Sequence, residues 1–340
     1  MVLMDSEKNH VVKDYSVDEL KRLANEMRAW DMACLCAAGS GHTGGTLSSM
    51  DLTAALYLKV MNLDPKRPEW DDRDRLIWSV GHKAPNLYLG LAFAGFFEKK
   101  ECLKLRKMFS GFEGHPNRLK LKGVEVSSGS LGQGLSIAIG CALRAKLDKK
   151  NYRIYCMMGD GEQQEGQVWE AAMEASHFKL DNLVGIVDKN NLQIDGKVED
   201  VMGIVPLDEK YRAFGWHVIN INGHSIGEIL AAFDKAQKTK GMPTMIIAET
   251  IKGKGASFAE NRADWHGKAP SAEQAKQAAK ELGVSIDVDG LLKYAQDYQK
   301  EVDEKIGKMM PKFSGDYWWN STANMKVKME TTRFGFGNCL

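Results

Sequence analysis

The clearest hydrophobic pattern in the chain is a pair of short apolar runs separated by an amphipathic segment. The runs at 152–158 and 183–187 are each short enough for a buried strand. Between them, apolar residues from Val168 to Ala175 recur at helical spacing. Two strands joined by one helix form a right-handed parallel βαβ unit, so both strands end at the same edge of the sheet. Ligands of α/β proteins bind at that edge.

Oxygen-bearing side chains follow both strands of this unit. Asp160, between Gly159 and Gly161, comes directly after the first strand, and Asn190 follows the second. One carboxylate, one amide oxygen and a loop carbonyl suit Mg²⁺, which completes its shell with phosphate oxygens and water. The pattern therefore indicates a metal–diphosphate site at the sheet edge. The alternative is a helix-capping Asp160 and a turn-forming Asn190.

The rest of the chain alternates strand and helix patterns, which is typical of a doubly wound, mostly parallel α/β sheet with helices on both faces. A capping box at Ser16 and Glu19 starts the first helix, and Thr46 or Ser48 is expected to cap the second. Further strands are predicted at 75–79, 124–126, 216–219 and 243–250. Helices are predicted at 17–38, 49–61, 99–109, 135–146, 226–238, 271–282 and 289–310, and from residue 85 or 86.

Several histidines lie in glycine-containing turns next to these elements. The segment 39–45 has four glycines in seven residues and contains His42, His82 follows the strand at 75–79, and His115 lies in a Gly-His-Pro turn. Glycines let backbone amides approach an anion, especially before a helix. Each turn taken alone also fits an ordinary connection with a structural histidine. His217 and His224 are interpreted as structural or exposed.

Composition and motifs exclude several other classes. The 340 residues are 44% apolar and 27% charged with a net charge of +1, so nothing favours a nucleic-acid or membrane surface. Residues 1–15 are polar and lack the apolar core of a signal peptide, and we expect a cytoplasmic protein. The glycine-rich run 129–134 is not the dinucleotide fingerprint, and no nucleoside-triphosphate loop is present.

The six cysteines are scattered and form no Cys-x-x-Cys pair, so they predict buried thiols rather than a zinc site. Cys34 and Cys36 lie in a helical pattern, which directs their thiols to different faces.

The run from Gly159 to Gly166, followed by a helix and Asn190, resembles the thiamine diphosphate motif, and more narrowly that of transketolases in their diphosphate-binding half. The resemblance covers 16–270. It implies that Asp160, Asn190 and the carbonyl of Leu192 hold Mg²⁺, with Ca²⁺ as the alternative. The cofactor-binding residues that it implies are His82, Gly129, Leu131, Gly159, Asp160, Gly161, Glu165, Asn190 and His266.

The resemblance also implies roles for individual side chains. His42 and His266 would lie near the reacting oxygens, His115 would hold a hydroxyl of the sugar donor, and His82 would contact the diphosphate. Independently of the resemblance, Lys252 and Lys254 are expected to attract anions, and an exposed loop charge is the equal alternative for Lys254. Thiamine diphosphate acts as an electron sink for ketose cleavage, so the implied reaction transfers a two-carbon ketol unit from a ketose to an aldose.

In transketolases the cofactor lies between this domain and a pyrimidine-binding domain that carries an activating acidic residue. Residues 331–340 resemble only the opening of that domain, while 271–330 are interpreted as a helical extension. We therefore expect a split transketolase with a separate C-terminal subunit, assembled as α₂β₂, in which Glu165 meets a counterpart region of the partner. Trp318 and Trp319 are expected to pack on a partner or on their own domain.

Three alternatives stay open at this point. The chain resembles more distantly the α-type chain of a 2-oxoacid dehydrogenase or a deoxyxylulose-phosphate synthase. It would otherwise be a non-catalytic half that acts as a scaffold or regulator. The sugar is also open, because members with split chains include enzymes for sulfo-ketoses and branched ketoses.

Overall fold

The computed structural model describes residues 3–5, 10–12 and 14–309. Its strands are β1 Leu3–Asp5, β2 His10–Val12, β3 Arg75–Trp78, β4 Ile154–Gly159, β5 Leu183–Lys189, β6 Leu192–Gln193, β7 Gly196–Lys197, β8 His217–Asn222 and β9 Thr244–Glu249. The order β3-β4-β5-β9-β8 forms a central sheet in which every neighbouring pair is parallel. Two small antiparallel pairs, β1 with β2 and β6 with β7, accompany it.

Helices precede, connect and follow the strands of the sheet. They are α1 Val17–Ala38, α2 Thr43–Ser48, α3 Met50–Ala55, α4 Ala84–Ala94, α5 Gln133–Leu147, α6 Gly166–His177, α7 Val198–Met202, α8 Leu207–Ala213, α9 Ile226–Lys238, α10 Ala272–Glu281 and α11 Val288–Met309. Within the described residues, no helix is long and apolar enough to cross a membrane.

Two apolar clusters lie on opposite faces of the sheet because side chains alternate along each strand. Tyr155 and Met157 of β4 pack into one cluster with α1, α3, α4 and α9. Cys156 and Met158 pack into the other with α5, α6 and α8. This arrangement confirms the predicted α/β sheet with helices on both faces. It also explains why β4 and β5 are apolar at nearly every position, since both of their faces are covered.

The helix predicted at 49–61 is confirmed as α3 and the π-helical turn Leu56–Val60 that continues it, but the capping residues predicted for it are wrong. Helix α2 already starts at Thr43, inside the glycine-rich segment, and Thr46 lies in its interior. The hydroxyl of Thr46 donates to Asp31 at 2.6 Å, and that of Ser48 donates to Asp188, so neither residue acts as a cap. The tertiary partners of these hydroxyls explain why local capping rules failed here.

Two further expectations are wrong. The segment predicted as a helix over 99–109 is a 3₁₀-helix at Lys99–Lys104 only, because Arg106 and Phe109 have positive φ angles of 59° and 60°. No strand forms at 124–126. That stretch is irregular chain, although Val124 is buried in the same apolar cluster as α4.

The helices after residue 270 appear as predicted. Ser271 and Gln274 form a capping box at the start of α10. Ala275 of α10 shares a third apolar cluster with Met32 and Trp265. The predictions for Trp318, Trp319, Cys339 and the segment 331–340 fall outside the described residues.

The two neighbouring cysteines of α1 do face different surroundings, as predicted. Cys34 belongs to the cluster on one face of the sheet, and Cys36 packs against the third cluster. The five cysteines in the described part of the chain are free thiols.

Candidate functional site

Two loops meet where β4 and β5 end. Gly159 pairs with Asp188 in the sheet. Asp160 lies one residue beyond this pair on its strand, and Asn190 lies two residues beyond it on the other. The carboxylate of Asp160 accepts a hydrogen bond from the backbone N–H of Asn191. The parallel sheet thus brings together two segments that are about thirty residues apart in the sequence.

Both side chains also make the local bonds expected for the capping and turn-forming alternative. Asp160 accepts from the N–H of Gly161 at 2.8 Å at the start of a 3₁₀ turn, Gly161–Gln164. Asn190 Oδ1 accepts from the N–H of Leu192 at 3.2 Å. Carboxylate and amide oxygens each accept more than one bond, so these local roles leave capacity for a cation.

The charge environment of Asp160 fits a hard cation. The carboxylate is buried, and its hydrogen bonds within the described residues come from backbone N–H groups. Burial and the nearby Asp188 raise its pKa to about 6, against the opposing influence of Lys83. A divalent cation would offset both the burial and the repulsion. No cluster of three or more His, Cys, Asp or Glu side chains suited to a metal occurs in the described ranges.

A buried lysine lies beside the third predicted metal ligand. Lys252 Nζ donates to the carbonyl of Leu192 at 3.0 Å and lies 2.9 Å from Nδ1 of His266. Burial and the charge of Lys83 lower the pKa of Lys252 to about 8. Lys252 Nζ thus contacts a carbonyl and an imidazole, which are both uncharged. Because neither contact neutralises the ammonium, it is a suitable contact for an anionic ligand.

The four predicted histidines converge at this edge. The ring centroid of His42 lies 5.1 Å from that of His82, 5.3 Å from that of His266 and 6.5 Å from that of His115. The rings of His82 and His266 are stacked at 5.5 Å. Nδ1 of His42 is buried and has no hydrogen-bond partner among the described residues. A buried imidazole nitrogen without a partner indicates that a ligand supplies the missing bond.

Each histidine is held by a different local structure. Gly39 ends α1 in the left-handed conformation, and Gly41 leaves no room for a Cβ, which would overlap Cδ2 of Leu35. These two glycines turn the chain toward His42. His82 lies on a 3₁₀ turn that closely follows β3, and His266 follows another short 3₁₀ turn.

The surroundings keep these imidazoles neutral near pH 7. Burial, followed by the charge of Arg106, lowers the pKa of His42 to about 4. Burial and Lys252 lower the pKa of His266 to about 3. The pKa values of His82 and His115 are also lowered, mainly by burial. Neutral imidazoles at these positions can both donate and accept hydrogen bonds.

The loop predicted to hold the aminopyrimidine lies next to the histidines. A Cβ on Gly129 would lie 3.4 Å from the ring of His115, and one on Gly81 would lie 2.7 Å from the backbone N of Gly129. Leu131 is half-buried in the same loop, and Glu165 is exposed beside Gly132. The structure therefore places the residues predicted to contact the cofactor along one continuous edge.

Sequence reasoning missed the charged side chains that support this edge. Lys83 and Asp188 form a buried ion pair, in which Asp188 also accepts from Ser48 and Thr250. Both residues lie close to predicted site residues in the sequence, because Lys83 follows His82 and Asp188 precedes Asn190 by two residues. Their pairing joins segments 105 residues apart and was not visible in either motif.

Glu162 is a further supporting residue that the sequence did not reveal. Its buried carboxylate accepts from the hydroxyl of Ser79 and from the backbone N–H groups of Gly132 and Gly159. It therefore joins the end of β3, the predicted aminopyrimidine loop and the end of β4.

An open depression of about 750 Å³ adjoins the histidines, lined in part by Ser40, Arg106 and Gly114. A comparably large depression lies near Arg153, and the four histidines line neither of the two. Arg106 lies within 3.4 Å of the hydroxyl of Ser40, and its charge acts on His42. Arg106 therefore links this depression to the histidine cluster through its effect on His42. The ring of His217 lies apart from this cluster. Its Nδ1 is 2.8 Å from the hydroxyl of Thr239, which fits the predicted structural role.

A protein-family model described as the transketolase, thiamine diphosphate binding domain matches residues 19–331. The chain is 42% identical over 264 residues to the 6-deoxy-6-sulfo-D-fructose transketolase subunit SqwG of Clostridium sp., covering 78% of this chain and 96% of that subunit. It is 41% identical over 250 residues to a subunit of the apulose-4-phosphate transketolase of Phocaeicola vulgatus, covering 74% of this chain and 89% of that one.

Full-length relatives are matched over about half their length. Human transketolase is 42% identical over 279 residues, which cover 81% of this chain and 44% of that protein. The crystal structure of transketolase from Campylobacter jejuni superposes with a TM-score of 0.76 at 31% identity, covering 86% of this chain and 49% of that one. The fold, the arrangement of the edge and these matches agree, and the chain belongs to the transketolase family as its N-terminal, thiamine diphosphate-binding part.

Proposed function

We propose that this chain is the N-terminal subunit of a two-chain transketolase that uses thiamine diphosphate and a divalent metal. It transfers a two-carbon ketol unit from a ketose to an aldose. The observation that carries the proposal is the convergence of four histidines within 5.1–6.5 Å at the edge where Asp160 and Asn190 lie. Two relatives that it matches over most of their length are named as transketolase subunits.

Three oxygen ligands of this chain would hold the metal. Asp160 supplies a charged carboxylate, Asn190 its amide oxygen, and Leu192 its carbonyl. Mg²⁺ is proposed because a small set of protein oxygens suits it, and Ca²⁺ accepts the same ligands. His82 and the ammonium of Lys252 would face the diphosphate, where a positive charge held out of water stabilises phosphate oxygens.

The histidines would handle protons and developing charge. Bound thiamine diphosphate supplies the electron sink that permits cleavage of the C2–C3 bond of the ketose. His42 and His266, neutral at pH 7, would exchange hydrogen bonds with the carbonyl and hydroxyl oxygens at that bond. His115 is exposed, and its ring lies 6.5 Å from that of His42, which supports its contact with a hydroxyl of the donor sugar.

The activating acidic residue would come from a partner subunit. Gly129 and Glu165 are exposed and Leu131 is half-buried, which supports a pocket for the aminopyrimidine that a second chain would complete. The expected assembly is α₂β₂. The proposed compartment is the cytoplasm, where thiols such as the five described here stay reduced.

The sugar is proposed to be anionic and is not restricted to pentose phosphates. The relatives that this chain matches over 96% and 89% of their length are named for a sulfo-fructose and for apulose 4-phosphate. The cation of Arg106 beside His42 and Ser40 supports an anionic substrate at the mouth of the site. A sulfo-ketose or branched ketose phosphate is therefore the second candidate.

A calorimetric titration tests the cofactor site. We expect the full-length chain, mixed with its C-terminal transketolase subunit, to bind thiamine diphosphate in the presence of Mg²⁺. The D160N variant is expected to lose this binding, because it removes the charge that holds the metal. D195N, which alters an exposed carboxylate in the neighbouring loop, is the matched control. Absence of heat with the wild-type pair would indicate a scaffold instead of an enzyme.

A product assay tests the reaction and the need for two chains. The mixed subunits are expected to convert a ketose and an aldose without release of CO₂, which separates this activity from that of 2-oxoacid enzymes. Full turnover by the isolated chain would contradict the two-chain proposal.

A further inference from the structure

His224 makes two hydrogen bonds that connect distant segments behind the candidate site. Its Nδ1 lies 2.8 Å from Oδ2 of Asp51 in α3, and its Nε2 accepts from the backbone N–H of Ile251 at 2.8 Å. The side chain is 14% exposed. His224 follows β8 in a turn where its own N–H donates to Asn222 at 2.9 Å. It is therefore a largely buried bridge rather than an exposed histidine.

These partners determine which tautomer of the His224 ring is present. A backbone N–H can only donate, so Nε2 of His224 must be unprotonated. The proton then lies on Nδ1, which donates to the carboxylate of Asp51. The ring is neutral and its orientation is fixed from both sides, as in other histidines that are held by a carboxylate.

The carboxylate behind His224 is itself held in place. Both carboxylate oxygens of Asp51 accept from Arg28 of α1, and Arg28 Nε donates to the carbonyl of Leu47 at 3.1 Å. Burial alone would raise the pKa of Asp51, but the charge of Arg28 and the bonds from His224 and Arg28 lower it to about 2. Asp51 is therefore a charged and rigid acceptor at neutral pH.

The bond to Ile251 acts on the segment that carries the buried cation of the site. Ile251 immediately precedes Lys252, whose ammonium contacts Leu192 and His266. The next residue, Gly253, donates its N–H to the carbonyl of Gly44 at 2.8 Å, in the segment that follows His42. A shift of the backbone at Ile251 would move Lys252 relative to both loops.

We propose that His224 is a positioning residue. Its neutral ring, oriented by Asp51, fixes the amide of Ile251 so that Lys252 stays directed at the loop of Leu192 and at His266. Only the consequence for thiamine diphosphate depends on the proposed function. The positioning of the backbone depends on the hydrogen bonds alone and is tested separately.

Two amide variants separate the bonds of His224. The substitution H224Q would place an amide acceptor near the position of Nε2. The shorter side chain of H224N would place a donor near the position of Nδ1 but would not reach Ile251. H217N is the control, because it alters a histidine at the other end of β8 whose ring contacts Thr239 instead.

The first measurement is hydrogen–deuterium exchange at Ile251 in the full-length chain without ligand. H224N is expected to raise the exchange rate there about five- to tenfold, the effect of losing one hydrogen bond. H224Q and H217N are expected to stay near wild type. Unchanged exchange in H224N, or equal acceleration in H224Q and H224N, would overturn the proposal. Acceleration spread over the whole chain would do the same, since it would indicate general loss of stability.

A second measurement needs no variant. The ¹⁵N chemical shifts of the histidine rings in the wild-type chain report which nitrogen carries the proton. The proposal requires the Nδ1–H form for His224 at neutral pH, and the Nε2–H form would contradict it.

The third measurement is the affinity for thiamine diphosphate with Mg²⁺ in the two-chain mixture. H224N is expected to weaken it, with recovery in H224Q, because only the former releases the backbone before Lys252. Faster exchange at Ile251 with unchanged cofactor affinity would refute a role in positioning Lys252. Failure of the wild-type mixture to bind the cofactor would refute the proposed function, whereas the exchange and ring measurements would still decide the backbone role.

Discussion

At the scale of single residues, burial determines the chemistry of the histidine cluster. His42 and His266 have pKa values lowered to about 4 and about 3, mainly because their rings are taken out of water. The sequence identifies these residues but cannot give their protonation state. That state depends on neighbours such as Arg106 and Lys252, which the fold supplies.

This burial makes the stability of the chain sensitive to acid. Because the folded pKa of His42 lies below its unfolded value near 6.5, the unfolded state takes up the proton first as pH falls. The stability associated with neutral His42 is present above pH 6.5 and is lost as pH falls toward about 4. The free energy of unfolding of the wild-type chain is expected to fall between about pH 6.5 and about pH 4.5. In H42Q we expect this fall to be smaller by about 1–2 kcal/mol.

Urea denaturation at the two pH values measures this difference. H177Q alters a histidine at the end of α6, outside the cluster, and serves as the control. An identical loss in wild type and H42Q would show that the His42 ring is not buried in its neutral form.

At the scale of elements, the site depends on close approach between turns that end different strands. The turn after β3 touches the loop before α5, where a Cβ on Gly81 would lie 2.7 Å from the backbone N of Gly129. Backbone atoms cannot rotate away as a flexible side chain can. The glycine is therefore required by a tertiary contact rather than by its own conformation.

The substitution G81A is expected to lower the free energy of unfolding by about 1–3 kcal/mol, because the added methyl group forces the two loops apart. G140A is the matched control, since Gly140 lies on an exposed part of α5 and a Cβ there meets no atom within 4 Å. The control should be neutral or stabilising by about 1 kcal/mol or less. Chemical denaturation of both variants gives the comparison, and equal stability of G81A and wild type would contradict the contact.

The ion pair of Lys83 and Asp188 joins the turn after β3 to the end of β5. Removing Lys83 leaves the carboxylate of Asp188 buried without its cation, and K83M is expected to cost about 3–5 kcal/mol of unfolding free energy. The exposed pair of Lys238 and Asp234 provides the control, because K238M should cost less than about 1 kcal/mol. Urea denaturation measures both costs, and similar values for the two variants would mean that the Lys83 pair is hydrated rather than buried.

At the scale of the whole molecule, the chain matches about half of a full-length transketolase but most of two proteins named as subunits. In the proposed assembly the cofactor lies between two chains. Ligands that bind only the assembled form stabilise it by mass action.

We therefore expect thiamine diphosphate with Mg²⁺ to strengthen association of this 37.8 kDa chain with its C-terminal partner. Sedimentation velocity of the mixture, with and without the cofactor, measures the shift toward the larger species. D160N is expected to abolish the effect of the cofactor while leaving the basal association of the chains. An association that is independent of cofactor in the wild-type pair would contradict a shared site.

The sequence by itself determined the elements with strong periodicity and the motif residues. The apolar runs of β4 and β5 and the glycines after β4 required no tertiary information, since strand period and turn chemistry are local. The strand ends drew attention to Asp160 and Asn190, and the resemblance then assigned roles to the four histidines; the structure brings these residues to one edge. The predictions made around Thr43, Lys99–Lys104 and 124–126 were wrong because tertiary packing outweighed local propensity there.

Only the tertiary structure decided which charged groups support that edge. Lys83 pairs with Asp188, Asp51 with His224 and Lys252 with Leu192, at separations of 105, 173 and 60 residues in the chain. No periodicity or motif records such pairings, because they arise when separate strand ends and helices pack together. The same packing removes water from these groups, and this burial determines their protonation states.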